Sequence, residues 1–140
     1  RPPRSTLFPY TTLFRSGVIM YELTVKGEFA ASHSLRDYEG KCKNLHGHTW
    51  RVDIVVAGKA LNNVGMVIDF KEIKSHLHAF LETLDHQHLN DLEHFKVVNP
   101  TSEQIAKYLF DCLKEKLHTV KVKKVTVWES DKSGASYDEA

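Results

Sequence analysis

Tyr21-Glu22-Leu23-Thr24-Val25-Lys26-Gly27-Glu28-Phe29-Ala30-Ala31-Ser32-His33 puts Tyr21, Leu23, Val25, Phe29 and Ala31 on one parity and Glu22, Thr24, Lys26 and Glu28 on the other. A period of two over this length predicts a half-buried strand. A second alternating run, Trp50, Val52, Ile54 and Val56, closes on Ala57-Gly58. The polar linker from Ser34 to Leu45, with Asp37, Glu39 and Gly40, makes the pair an antiparallel hairpin with a wide loop.

Beyond the hairpin the period changes. Asp69 is placed to cap a helix whose apolar positions are Phe70, Ile73, Leu77, Phe80, Leu81 and Leu84. Leu84 to Asp91 breaks that pattern and reads as a loop. Asn99-Pro100-Thr101 opens a second helix, with Thr101 and Gln104 spaced as a capping box and Ile105, Leu109, Cys112, Leu113 and Leu117 along one face. Val120, Val122, Val125 and Val127 return to strand over 120–129, with a bulge expected at Lys123-Lys124 where the alternation slips. A short last strand is expected from Ala135 to Tyr137. The order ββααββ predicts an α+β protein, an antiparallel sheet with two helices on one face.

The 140 residues are 41% hydrophobic and 26% charged, the size and balance of one globular domain. No apolar run is long enough to span a bilayer. Two cysteines, Cys42 and Cys112, make no disulfide framework and fit a reducing, cytoplasmic compartment. Residues 1–19 carry Arg1, Arg4 and Arg15 without an acidic residue and show no sustained period, so they are expected to be a non-native or disordered leader, with 20–140 as the single folded domain. Without those three arginines, 16 basic residues face 18 acidic ones. With no basic stripe remaining, nucleic acid is not an expected partner.

The chemistry concentrates on histidine, of which there are nine. In the hairpin, His46 and His48 share the parity of Trp50, Val52 and Ile54, and His33 shares that of Phe29 and Ala31, so the three imidazoles converge on the inward face. Gly47 between them is read as leaving room for close approach of backbone or ligand. An H-x-H pair alone is commonly accidental and a lone inward histidine commonly a packing residue. Three convergent neutral imidazoles without a fourth Cys or His are the ligand set of a catalytic zinc. No axial methionine or facial carboxylate favours copper or iron. Cys42, between Lys41 and Lys43 above that site, is a candidate base or nucleophile. In Asp85-His86 a carboxylate can fix an imidazole for proton exchange, although such a pair in a polar loop is commonly just solvated. Glu129 falls on the inward parity of Val125 and Val127, where a carboxylate needs a partner, an internal cation or a ligand with two N–H donors. Thr101 is explained by capping, Cys112 by core packing and His118 by the helix dipole.

Phe29-Ala30-Ala31-Ser32-His33, Cys42-x-x-x-His46-Gly47-His48, Met66-Val67-Ile68-Asp69-Phe70, Leu84-Asp85-His86, Pro100-Thr101-Ser102-Glu103 and Val127-Trp128-Glu129-Ser130 occur in this order. Together they resemble the 6-pyruvoyltetrahydropterin synthase / 6-carboxytetrahydropterin synthase family, over roughly Met20 to Tyr137. The resemblance implies a tunnelling fold whose sheets join into a trimeric barrel, two trimers stacking as a homohexamer with sites at subunit interfaces. It implies one Zn2+ per subunit on His33, His46 and His48, a catalytic group of Cys42, Asp85 and His86 with the Asp–His pair supplied by a neighbouring subunit, and Glu129 anchoring the pterin N–H groups, with Thr101 and Ser102 near it. The three-residue spacer between Cys42 and His46 is similar to that of the bacterial carboxy branch of queuosine biosynthesis, so the resemblance favours conversion of 7,8-dihydroneopterin triphosphate to 6-carboxytetrahydropterin with release of acetaldehyde and triphosphate. Rival expectations are pyruvoyltetrahydropterin synthesis on the same scaffold, a zinc hydrolase, and a non-enzymatic zinc-stabilised binding module.

Overall fold

The computed structural model of the chain describes residues 20–139. The leader expected over 1–19 lies outside the described residues. Strands β1 (Tyr21–His33) and β2 (His46–Gly58) form the long hairpin. Helix α1 (Phe70–Leu84) follows, then a two-residue strand β3 (Gln87–His88), a short helix α2 (Glu93–Val97), helix α3 (Ser102–Lys116), and strands β4 (Lys121–Ser130) and β5 (Ser133–Asp138). The sheet order is β3-β1-β2-β4-β5. All pairings are antiparallel except the β1–β3 bridge, where Ala31 and Ser32 run parallel to Gln87 and His88. The α+β architecture agrees with the sequence reading. The segment read only as a loop adds β3 and a 3-10 turn at Leu89–Asp91, and α2 follows it.

The alternation sets the layers. Val25, Phe29, Ala31 and His33 of β1, Trp50, Val52, Ile54 and Val56 of β2, and Val122, Val125 and Val127 of β4 are all buried and face the helices. Onto them α1 lays Ile73, Leu77, Leu81 and Leu84, and α3 lays Ile105, Ala106, Leu109, Phe110 and Leu113. Phe70, expected on the apolar face, is half exposed because it is the first helical residue, ahead of the contact with the sheet. The opposite face of the sheet is polar. There Lys26 pairs with Asp53 at 3.0 Å, Asp53 also accepts the Trp128 indole N–H at 3.2 Å, and Arg51 pairs with Asp131. Such exposed pairs contribute at most about 1 kcal/mol each.

Local signals end the elements where the sequence places them. Asp69 accepts the Lys71 N–H at 2.8 Å to start α1. Thr101 accepts the Gln104 N–H at 3.1 Å to start α3, but its own N–H goes to the Asn99 carbonyl, so only half of the capping box forms. The expected bulge is present: Val55 pairs with Lys124 and Val56 with Val122, leaving Lys123 as the extra residue and both lysines exposed. One glycine has a packing reason. A Cβ on Gly134 would sit 2.6 Å from the Trp128 ring, which lies across it from the neighbouring strand.

Leu109 joins α3 to the sheet and is fully buried. Leu109→Ala is expected to lower unfolding free energy by about 2–5 kcal/mol, as is usual when a buried leucine leaves a cavity, measured by urea denaturation of the metal-loaded protein.

Candidate metal centre and active-site groups

The β1–β2 register sets the centre. His33 lies directly opposite His46, and Ala31 opposite His48. The ring centroids are 4.5 Å apart for His33–His46, 5.1 Å for His33–His48 and 4.9 Å for His46–His48. One ligand nitrogen from each lies within 4.8 Å of the others, so the three are positioned to bind a metal ion. Trp50 floors the cluster, its ring 4.9 Å from that of His33 and 5.0 Å from that of His48, stacked on Phe29 behind it.

The tautomers follow from the backbone. Nδ1 of His33 lies 2.8 Å from the Pro100 carbonyl and Nδ1 of His46 lies 2.7 Å from the Asn44 carbonyl. A carbonyl only accepts, so each Nδ1 carries the proton and, in the neutral ring, each Nε2 carries a lone pair. Those two Nε2 atoms face each other at 3.0 Å, with lone pairs opposed. His48 Nε2 is buried with no hydrogen-bond partner. A cation shared among the two opposed lone pairs and the orphaned third nitrogen would satisfy all three at once. A metal bonded to imidazole nitrogens at about 2.1 Å needs them roughly 3.3 Å apart, so the residues fit the group. Burial also lowers the pKa of His33 and of His48, which favours the neutral imidazole that a metal takes.

Glu129 completes this cluster. It stands where the β4–β5 pairing slips between Trp128 and Ser130, and its Oε1 reaches within 3.9 Å of His48 Nε2. The inward parity read from the sequence thus brings the carboxylate to the metal-ready face. Thr101 and Ser102 begin α3 immediately after Pro100, whose carbonyl holds His33. The backbone half of the expectation for Gly47 is not met. A Cβ there would meet the Ala31 carbonyl oxygen at 3.6 Å, an ordinary contact, so close approach does not demand glycine.

Neither Cys42 nor the Asp85–His86 pair is hydrogen-bonded to the triad among the described residues. Cys42, a free and half-buried thiol, sits on the 3-10 turn Lys41–Lys43 of the β1–β2 loop, its carbonyl accepting the Leu35 N–H at 2.9 Å. Asp85 ends α1. Its Oδ1 accepts the Ala30 N–H at 2.8 Å, its Oδ2 lies 2.9 Å from His86 Nδ1, and the Ala30 N–H followed by His86 holds its carboxyl below the usual range. His86 returns its own N–H to the Ala30 carbonyl at 2.6 Å and adopts φ +59, a left-handed backbone that few non-glycine residues take. Its side chain is 82% exposed, so it is not packed against the triad of its own chain. The sequence reading missed the Pro100 and Asn44 carbonyls that orient the ligands. Asn99-Pro100-Thr101 carried only a helix-start signal, and no side-chain pattern marks a carbonyl.

Comparison with known proteins decides the family. A family model described as 6-pyruvoyl tetrahydropterin synthase matches residues 22–140. The chain belongs to the 6-pyruvoyl tetrahydropterin synthase family. It is 42% identical to the 6-carboxy-5,6,7,8-tetrahydropterin synthase of Synechocystis over 67% of this chain and 78% of that protein. It is 34% identical to the human 6-pyruvoyl tetrahydrobiopterin synthase over 78% of this chain and 85% of that one. The solved structure of Caenorhabditis elegans 6-pyruvoyl tetrahydropterin synthase superposes with a TM-score of 0.80 at 29% identity, covering 88% of this chain and 98% of that one. Fold and family therefore agree with the resemblance, and the protein is a pterin-synthase-type enzyme with the tunnelling fold.

His48→Ala and His33→Ala are each expected to reduce bound metal at least tenfold, measured by elemental analysis after dialysis against a weak chelator. In the metal-free protein, folded-state pKa values of His33 and His48 lie below the unfolded value of about 6.5. Above that pH neither state takes up a proton at these rings and there is no penalty. As pH falls below it the unfolded chain binds protons first, so stability is expected to decline down to the folded values. Urea unfolding of chelator-treated protein at pH 7.5 and 5.5 checks this.

Proposed function

We propose that the chain is a zinc-dependent 6-carboxy-5,6,7,8-tetrahydropterin synthase of queuosine biosynthesis in the cytoplasm. It would convert 7,8-dihydroneopterin triphosphate to 6-carboxytetrahydropterin, acetaldehyde and triphosphate, with one water taken up to balance the atoms. The observation that carries this reading is the Glu129 carboxylate 3.9 Å from His48, beside a three-histidine cluster positioned to bind a metal ion. One inward carboxylate beside one metal position gives both a handle for a ring rich in N–H donors and a place for its side-chain oxygens. The relatives named as carboxytetrahydropterin synthases support the same branch.

His33, His46 and His48 would hold the zinc, which when bound would supply Lewis acidity toward the hydroxyl-bearing side chain of the substrate. The chain's own groups do the rest. Glu129 accepts two pterin N–H bonds and fixes the ring, with Thr101 and Ser102 at the adjacent helix start. Cys42, as thiolate, takes the proton from the side chain. Asp85 accepts the Nδ1–H of His86, and when the ring is doubly protonated its Nε2–H delivers a proton elsewhere on the substrate, leaving the neutral ring. In the homohexamer of two stacked trimers that the family resemblance implies, this pair would serve the site of a neighbouring subunit, and the 82% exposure of His86 supports that role. The sheet order, with β5 at one edge and β3 covering only Ala31 and Ser32 at the other, leaves edges for such assembly.

The human relative favours a second reading, 6-pyruvoyltetrahydropterin synthesis, in which triphosphate is eliminated and the three-carbon side chain is kept. Product analysis separates the two. Incubation of zinc-loaded protein with 7,8-dihydroneopterin triphosphate is expected to give 6-carboxytetrahydropterin and acetaldehyde. A product retaining the side chain would move the chain to the pyruvoyl branch, and no turnover would remove both. Cys42→Ala is expected to lose at least a thousandfold in turnover with zinc retained. Glu129→Ala is expected to raise KM for the pterin at least tenfold, again with zinc retained; metal loss in that variant would defeat the anchor role.

A further inference from the structure

The segment that follows His33 is held in an unusual way. Ser34 has both backbone groups captured by one carboxamide: Asn90 Oδ1 accepts its N–H at 2.9 Å and Asn90 Nδ2 donates to its carbonyl at 2.9 Å. Two residues on, Asn99 does the same for Arg36, accepting its N–H at 3.0 Å and donating to its carbonyl at 2.9 Å. Each carboxamide thus replaces a missing strand partner. Ser34 and Arg36 face the 90–99 segment, and Leu35 between them turns its N–H the other way, onto the carbonyl of Cys42 at 2.9 Å. The Arg36 guanidinium adds donations to the carbonyls of Phe95 at 2.6 Å and Val98 at 2.9 Å. The residue after Asn99 is Pro100, whose carbonyl fixes the His33 ring.

We propose that Asn90 and Asn99 are positioning residues that set the Cys42 thiol relative to the His33 ring. Neither touches the triad; both act through the backbone of 34–36. Four hydrogen bonds fix that stretch on one side, and the Leu35–Cys42 bond passes its position to the turn on the other. The same 90–100 segment therefore orients a metal ligand and the loop bearing the thiol, so the two move as one unit. Displacement of about 1 Å in a reacting group costs on the order of a hundredfold in rate. The catalytic half of this inference rests on the function proposed above; the geometric half does not.

Two measurements separate them. In a Cys112→Ser background, the rate of Cys42 alkylation by iodoacetamide reads the thiol's placement whatever the substrate is. Asn90→Ala and Asn99→Ala are each expected to change that rate at least fivefold. Asn62→Ala, which removes a carboxamide accepting the Val64 and Met66 N–H groups in the β2–α1 loop, is expected to leave it unchanged. With substrate, the two variants are expected to lower kcat ten- to a hundredfold while KM stays within threefold and zinc content is unaltered. Asn99→Asp, isosteric and keeping the acceptor for the Arg36 N–H, is expected to fold and to give an intermediate effect even where the alanine variants do not fold. Wild-type alkylation rates in Asn99→Asp and in every folded alanine variant would overturn the proposal, as would a kcat loss that merely tracks lost zinc. An altered alkylation rate in a protein that does not process the pterin would uphold the positioning and remove only the proposed function.

Discussion

The cross-strand pairing of His33 with His46 is the constraint on which everything else in the molecule rests. Side chains in a strand change face at every residue, so a slip of one position would carry a histidine from the helix side of the sheet to its open side. The register is held along thirteen consecutive pairs from Tyr21–Gly58 to His33–His46, and the inward members in the middle of that run belong to the core. The energy that fixes the metal position is therefore hydrophobic. Burial of Val25, Phe29, Trp50, Val52, Ile54 and Val56 decides the register, and the imidazoles inherit it.

Placing three imidazoles at the end of an apolar face has an electrostatic cost, and the surroundings lower only part of it. Trp50 and Phe29 give the cluster a stiff floor without adding a polar group that could compete for the ring nitrogens. The Nδ1 protons are taken up by two carbonyls from irregular backbone, leaving the Nε2 lone pairs without donors. A cation bound at such a site would stabilise the fold, which would tie metal affinity to the same contacts that build the core.

What the sequence made legible was whatever a local pattern determines. Period-two alternation placed His33, His46, His48 and Glu129 on the inward face, Asp69 and Thr101 announced their helices, and the doublet Lys123-Lys124 announced the bulge. What escaped was backbone partnership over long separations. Leu84–Asp91 lacks a strand pattern because its two-residue bridge exists only through Ala31 and Ser32, and the Asn90 and Asn99 carboxamides look like ordinary loop polarity until the stretch after His33 comes to lie against them. The chemistry of Asp85 and His86 was visible as a dipeptide, but their location was not, since it depends on the end of α1 meeting the edge of β1.

That meeting has a further consequence. Asp85 takes the N–H of Ala30 and His86 takes its carbonyl, while Gln87 and His88 cover Ala31 and Ser32, so the outer margin of β1 is sealed from Ala30 onward. A strand adding to that margin can zip only along the stretch before Ala30 and must halt there. The seal acts as a doorstop: any strand that added there would have one place to end, beside Asp85 and His86.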